Sequence, residues 1–343
     1  MSITDDPECR ALLRYAARIG GDAALVQGAG GNVSLKRDGV LWVKASGTWL
    51  MHAEARPILV PVLLEALLAA LHAPGGAVPE DTLPFVAEAL NVSGLRPSIE
   101  TTLHAALAHP VVLHVHCVET VAWAARADAE AAIAPLLAGL NWSFIPYARP
   151  GAPLTRRILA RAAPATDVLV LGKHGLVVGG ASTAAAASLL AEVQRRLRRP
   201  ARALPPPRHT DLARLAEGTD YRPALDVGTH ATATDPASFA VARLGSFYPD
   251  HVVFLGPGIV ELPPGSPPGG KAPMLVAQAA GVLLRRDATA GQAALARCLA
   301  DVLARLDASE PLTPLTRADE AELLGWDAEH YRQKLDRPGL AQP

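Results

Sequence analysis

Apolar residues in "PECRALLRYAARIG" recur at helical intervals and stop at Gly20-Gly21, which predicts a helix closed by a glycine cap. "NVSLK" alternates like a strand and "GVLWVKASG" reads as another, so the two predict a hairpin around Arg37-Asp38-Gly39. "PILVPVLLEALLAALHA" is read as one amphipathic helix interrupted by Glu65, too short and too charged for a membrane span. "SIETTLHAALAH" predicts a helix, "VVLHVH" a strand, "DVLVLGKHGLVV" a strand with a turn in it, and "TAAAASLLAEVQRRL" a helix. Further on, "DHVVFLGPGIVEL" suggests a strand pair around Gly256-Pro257-Gly258, and "GQAALARCLADVLARL" a helix with Leu295, Leu299, Val302 and Leu306 on one face. Between them "LPPGSPPGGKAP" has the composition of a mobile loop. Helices and strands therefore mix along the whole chain, as in an α/β protein.

The length of 343 residues, half of them hydrophobic, allows a sizeable core and about two domains. Four prolines in "PARALPPPRH" resist helix and strand interiors, and the boundary is placed there: a domain over 1–200, a linker over 201–209, and an extension over 210–343 that would act as a lid or an oligomer contact. Lys and Arg number 32 against 33 Asp and Glu, a net charge of −1, which lacks the basic footprint of nucleic-acid binding. The opening "MSITDDPECR" is acidic where a signal peptide is basic, so the expected location is cytoplasmic, without a membrane partner. Cys9, Cys117 and Cys298 follow neither a disulfide framework nor a zinc spacing and are read as free, partly buried thiols.

Candidate chemistry gathers in "VVLHVHCVET". Side chains two apart on a strand share a face, so His114 and His116 project together and suit one metal ion, although a pair of half-buried histidines would show the same spacing. His174 sits in a turn made by Gly172 and Gly175, where glycines let the backbone approach a neighbouring strand. Three imidazoles with one open position are the usual ligand set of a catalytic zinc. Glu100 is expected in the first turn of a helix capped by Ser98, a place that favours a carboxylate whether or not it does chemistry. His104, four residues on, shares that helix face and is read chiefly as a core residue. His230 and His251 are too isolated to suggest a second site.

Two loops could receive an anion on backbone N–H groups. "QGAGGNVSLK" offers Gly28, Gly30 and Gly31 ahead of Asn32, with a spacing unlike the dinucleotide fingerprint and a strand rather than a helix after it. "KASGT" brings Lys44, Ser46, Gly47 and Thr48. Each could equally be a plain turn.

In this order, "GAGGNVS", "KASG", "SIE", "HVH" and "GKHGL" resemble the class II aldolase/adducin family over roughly residues 8–200. "VQGAGGNVS", "LWVKASGTWL", "RPSIETTLHA" and the later "YPDHVVFLGPG" and "LLGWDAEHYRQ" look most like the aldolase portion of rhamnulose-phosphate aldolase/dehydrogenase fusion proteins, without their dehydrogenase half. The resemblance implies a three-layer α/β sandwich around a mainly antiparallel sheet, with a smaller C-terminal α/β extension, assembled as a homo-oligomer (dimer or tetramer). It implies one Zn²⁺ on His114, His116 and His174, with Glu100 as acid and base. A phosphate pocket would be drawn from Gly30, Gly31, Asn32, Ser46, Gly47 and Ser98. Ile99 stands where family members often carry a second serine, and the family's tyrosine from a neighbouring subunit has no match here.

The implied reaction is reversible aldol cleavage of a ketose, in the first instance a ketose 1-phosphate, to dihydroxyacetone phosphate and an aldehyde, with the metal stabilising an enediolate. A 4-epimerase uses the same intermediate but carries Asp where this chain has Glu100, and a sugar-phosphate dehydratase fits the same ligands. The non-enzyme alternative is an adducin-like interaction domain, whose relatives lack the full ligand set. The partner in the main reading is a small sugar or sugar phosphate.

Overall fold

Backbone chemistry at a few positions explains how the strands are ordered. The structure, a computed structural model, describes residues 3–73, 76–326 and 335. It divides into one compact unit made of the residues up to Thr120 with Glu130–Leu197, and a second made of Val121–Ala129 with the residues from Arg198 onward.

In the first unit, helix α1 (Pro7–Gly20) starts where Asp6 accepts hydrogen bonds from the N–H groups of Glu8 and Cys9, with Pro7 in the first turn. Strands β1 (Asn32–Arg37) and β2 (Val40–Lys44) form the expected hairpin. Its tip places Asp38 at φ +50° and Gly39 at φ +75°, the paired positive angles that suit the right-handed twist of two joined strands. The segment expected as one helix divides in two: β3 (Leu59–Leu63) pairs with β2, and only then does α2 (Leu64–Leu71) begin. Pro61 lies within β3, and an outermost strand is where a residue without an N–H is tolerated. The helix expected from Ser98 contracts to α3 (Thr101–Ala106).

The remaining elements are β4 (Val111–Val115), α4 (Val118–Ala124), α5 (Ala129–Ile133), β5 (Trp142–Ile145), α6 (Ala152–Arg161), β6 (Val168–Leu171), β7 (Gly175–Gly180) and α7 (Thr183–Arg196). The seven strands run in the order β3-β2-β1-β4-β7-β6-β5, antiparallel except for the parallel pair β5 and β6. Helices α1 and α7 pack together on one face, against β1, β4 and β7, while α2, α3 and α6 cover the other, giving three layers. Leu103, Leu107, Val112, Leu154, Ile158 and Val177 form a buried cluster on that second face. Since alternate residues share a face, His114 lies on the same side as Val112, toward the layer that contains α3.

Register brings the chemistry to one end of the sheet. Asn32 at the start of β1 stands opposite His114 near the end of β4, and His114 stands opposite Val177 near the start of β7. The N-terminal ends of β1 and β7 and the C-terminal ends of β2 and β4 therefore share one rim of the central sheet.

The second unit is built from α8 (His209–Ala216), β8 (Tyr221–Pro223), α9 (Ala231–Thr234), α10 (Pro236–Ala242), α11 (Pro249–Leu255), β9 (Met274–Ala277), β10 (Gly281–Arg285), α12 (Ala290–Leu303) and α13 (Arg317–Leu324). Its three strands run in the order β8-β10-β9, all antiparallel. The strand pair expected around Gly256-Pro257-Gly258 is absent: "PDHVVFL" is the helix α11, with Pro249 in its first turn and Gly256 at φ +89° closing it. All seven of its residues are buried, so no polar face marks a helical period. Residues 263–273 carry neither helix nor strand. Arg202, within the proline-rich stretch, donates to Asp235 Oδ2, Ser238 Oγ and the Leu303 carbonyl, all within its own unit. The motif "DAEHYRQ" lies outside the described residues. The three cysteines are free and fully rather than partly buried, at 0%, 1% and 2% exposure.

His230 and His251 serve packing. His230 Nε2 donates to the Ala224 carbonyl while its Nδ1 accepts from the Val282 N–H, and His251 Nε2 donates to the Gly258 carbonyl at 2.7 Å. Burial drives the His251 imidazole down to about 4 from 6.5. Between those values the unfolded chain binds a proton that the folded chain refuses, so stability falls as pH drops from about 6.5 toward 4. The full effect is about 3 kcal/mol for this one group. Thermal unfolding of the intact chain at pH 7 and pH 5 should show about 2 kcal/mol of that loss, and His251→Gln should narrow it; an unaltered pH difference in the variant would contradict the assignment.

Candidate metal centre

Three imidazoles meet at the shared rim. His114 comes from β4, His116 from the residue just past that strand, and His174 from the tight turn between β6 and β7. Their candidate ligand atoms all lie within 4.8 Å of one another, with ring centroids 4.9 to 5.0 Å apart. Lys173 turns the chain at φ +55°, and Gly175 follows where a Cβ would stand 2.3 Å from the Val115 carbonyl oxygen. Only glycine lets the turn close so tightly on β4, and that closeness brings His174 to the pair.

The hydrogen bonds fix which nitrogens face inward. His114 Nδ1 donates to the Leu176 carbonyl at 3.1 Å, which leaves Nε2 with its lone pair 3.2 Å from His116 Nε2. A backbone carbonyl orienting the far nitrogen is the usual support of a metal-bound imidazole.

Glu100 stands beside them in a place the sequence pattern misjudged. It occupies the N-cap position of α3 instead of the first turn, and its side chain does not cap. Ser98 does not cap either: its Oγ accepts from the Glu100 N–H at 3.2 Å in a tight turn before the helix. The carboxylate is thereby free to point along the sheet rim. Oε2 accepts from Asn32 Nδ2 at 2.8 Å and lies 3.4 Å from His114 Nε2, while Oε1 lies 3.5 Å from His174 Nε2 and accepts no hydrogen bond. Burial alone would raise the Glu100 carboxyl, but its electrostatic interactions with the facing His114, His174 and His116 outweigh it and hold the group well below the usual carboxylate range. His104 is the core residue it was read as: it is fully buried and its Nδ1 meets Ser34 Oγ at 2.8 Å.

A buried acceptor with no donor, 3.5 Å from one nitrogen of a cluster of three imidazoles, fits a cation. His114, His116 and His174 would hold a divalent metal ion, with Glu100 within reach of it.

The other predicted positions gather nearby. Asn32 Nδ2 also donates to Ser98 Oγ at 2.9 Å. Gly30 and Gly31 precede Asn32, Gly31 at φ +65° with a Cβ position 2.9 Å from the His114 carbonyl oxygen. The chain past β2 runs beside the segment before Glu100, where the Ser46 N–H donates to the Arg96 carbonyl and the Ser98 N–H to the Lys44 carbonyl. Gly47 follows at φ +76°. Two side chains outside the predicted set also bear on the rim: Gln27 Nε2 donates to the His116 carbonyl at 3.4 Å, and Lys44, named only as part of a loop motif, is buried beneath the glycine loop. A lysine closing an alternating strand was the available signal for the latter. An apolar groove of about 560 Å³ lined by Trp42, Ile58, Leu59 and Leu90 contains none of these residues.

With the geometry in place, comparison with known proteins gives the class. The profile of the class II aldolase and adducin N-terminal domain matches residues 11–199, and the chain belongs to that family. The uncharacterized oxidoreductase YuxG of Bacillus subtilis (strain 168) is 30% identical over 176 residues, which is 47% of this chain and 25% of that protein. The chain thus matches about a quarter of that relative's length. Among solved structures, the N-terminal class II aldolase domain of a conserved Thermoplasma acidophilum protein aligns at 26% identity with a TM-score of 0.48, covering 56% of this chain and 92% of that one. An L-fuculose 1-phosphate aldolase aligns at 18% identity with a TM-score of 0.39, covering 57% of this chain and 85% of that one. Family membership and the triad together support metal-dependent lyase chemistry. No helix among the described residues is long and apolar enough to cross a membrane.

Metal should stabilise the fold by mass action, since the three histidines come together only in the native state. At about 100 times its dissociation constant, a divalent ion is expected to add about 2.7 kcal/mol, read as a rise in melting temperature that chelator reverses. His116→Ala should abolish that rise along with bound metal. A variant that still takes up one ion per chain would contradict the assignment.

Proposed function

We propose that the chain is a zinc-dependent aldolase that reversibly cleaves a ketose 1-phosphate to dihydroxyacetone phosphate and an aldehyde. The observation that carries this reading is the bare Glu100 Oε1 beside the buried histidine triad, in a chain of the class II aldolase and adducin family. A divalent ion at the triad supplies a Lewis acid where oxygen charge develops as the carbon–carbon bond breaks.

The residues divide the remaining work. Asn32 fixes one carboxylate oxygen of Glu100 by its amide, which leaves the other to move a proton at the carbon next to the substrate carbonyl. Because its pKa is held low, Glu100 enters the reaction as carboxylate at neutral pH. The Leu176 carbonyl keeps His114 in one tautomer, so its inward nitrogen stays a ligand. Backbone N–H groups of Gly31 and Gly47, with the hydroxyls of Ser46 and Ser98, take the phosphate and so place the reacting bond, while the Gly30 N–H holds the loop through the Gln27 carbonyl. Ile99 contributes no hydroxyl, which leaves Ser98 as the serine of that segment. The resemblance of "VQGAGGNVS" and "LWVKASGTWL" to the aldolase portion of rhamnulose-phosphate aldolase/dehydrogenase fusions makes rhamnulose 1-phosphate the first substrate to test.

A retro-aldol screen of ketose phosphates and free ketoses, coupled to detection of dihydroxyacetone phosphate or dihydroxyacetone, should find one ketose phosphate cleaved and the activity lost to chelator. Glu100→Gln should keep its metal and lose about 10²- to 10⁴-fold in turnover. Cleavage of none of these compounds would refute the reaction, and near-normal turnover in the variant would refute the role of Glu100.

A further inference from the structure

Strand β1 carries a row of polar side chains on one face. Asn32, Ser34 and Lys36 are spaced two apart, so all three project toward the layer that holds α3. Each meets a different part of that helix. Asn32 Nδ2 donates to Glu100 Oε2 at 2.8 Å at the N-cap, Ser34 Oγ meets His104 Nδ1 at 2.8 Å in the middle, and Lys36 Nζ donates to the carbonyl of Leu107, the residue that closes the helix. Lys36 Nζ also donates to the His109 carbonyl at 3.0 Å. The steps from Asn32 to Lys36 cover about 13 Å of strand and those from Glu100 to Leu107 about 10 Å of helix, so one row reaches both ends of α3.

This helix needs such partners. It has only 6 residues and no side chain caps its N-terminus, and isolated helices shorter than roughly 12 residues are marginal in water. An ammonium at the last carbonyls answers both their unpaired lone pairs and the negative end of the helix dipole. Burial pulls the Lys36 ammonium down to about 8 from 10.5, so a desolvated charge is held there by neutral carbonyls. Contacts at the middle of α3, from Ser34 and between Thr102 Oγ1 and Thr155 Oγ1 at 2.8 Å, would by themselves let a short helix pivot. A pivot moves the ends most. One end carries Glu100, whose carboxylate oxygens stand 3.4 and 3.5 Å from the Nε2 atoms of His114 and His174.

We propose that Lys36 is a positioning residue that acts through Glu100: by holding the far end of α3 on β1, it sets where the carboxylate stands beside the histidine triad. The consequence for turnover rests on the aldolase reading, in which Glu100 moves the proton; the consequence for the metal does not.

The test is a double-mutant cycle on the intact chain, read as zinc affinity by competition with a chelating dye. Lys36→Met should weaken zinc binding about tenfold, as loss of a supporting residue does, but by less than about twofold in the Glu100→Gln background. An unchanged affinity, or the same loss in both backgrounds, would overturn the proposal, because general damage to the fold does not depend on Glu100. In turnover, Lys36→Met should lower kcat at least about tenfold while KM stays within about twofold, since a 1 Å misplacement can cost about 10²-fold in rate. A change confined to KM would also overturn it. If wild type cleaves no ketose, the aldolase reading fails separately and the zinc cycle still decides the role of Lys36. A wild-type chain that takes up no zinc refutes the metal centre and this proposal with it. Should Lys36→Met not fold, Lys36→Gln, shorter and neutral, enters the same cycle. A chain that folds with neither substitution owes its fold to Lys36, and that outcome overturns the proposal.

Discussion

The arrangement at the sheet rim turns on one electrostatic constraint: two imidazole nitrogens 3.2 Å apart, with a carboxylate oxygen 3.4 Å from one of them, inside the protein. With His114 Nδ1 committed to a carbonyl, its inward nitrogen has only a lone pair to offer, so either a shared proton or a cation must lie between the rings. A third imidazole and a bare carboxylate oxygen on the same spot make the cation the better fit. The surrounding structure holds these groups against their mutual repulsion. Gly175 lets the β6–β7 turn press on β4, Asn32 ties Glu100 to β1, and Lys44 ties the glycine loop to β2.

Strand order explains why residues so far apart in sequence can meet. β1, β4 and β7 are neighbours in the sheet, and antiparallel pairing puts the start of β1, the end of β4 and the start of β7 at the same edge. Short α3 then delivers Glu100 to that edge from the layer above, because its N-terminal turn sits over the face that His114 shares with Val112. The architecture is rigid where the chemistry is placed, since β4 is buried along its whole length.

Much of the metal centre was legible in the sequence because its signals are local. The H-x-H spacing on a strand puts two rings on one face, and the glycines flanking His174 announce a close approach. Glu100 was legible as a residue but not in its setting. Ser98 followed by Glu100 resembles a helix start, and nothing local shows that Asn32, 68 residues away, draws the carboxylate off the cap. The two misread segments share a cause. "PILVPVLL" is apolar throughout and "DHVVFL" carries its two polar residues side by side ahead of four apolar ones, so neither period can be read from them. The first becomes a strand because it pairs with β2, and the second a helix because it is buried on every side. Lys44 was legible as a member of the "KASGT" loop but not as a buried group, for a related reason: its setting depends on a glycine loop folded over it, and a lysine in sequence looks like solvated surface.

The central claim is that the triad binds a metal ion through nitrogen and oxygen donors. X-ray absorption at the zinc edge, on the intact chain loaded with one equivalent of zinc, tests it most directly. The account predicts a first shell of imidazole nitrogens at about 2.0–2.1 Å, completed by oxygen and diminished by one imidazole in His174→Ala. A sulfur-containing shell, or a shell unchanged by that substitution, would contradict it.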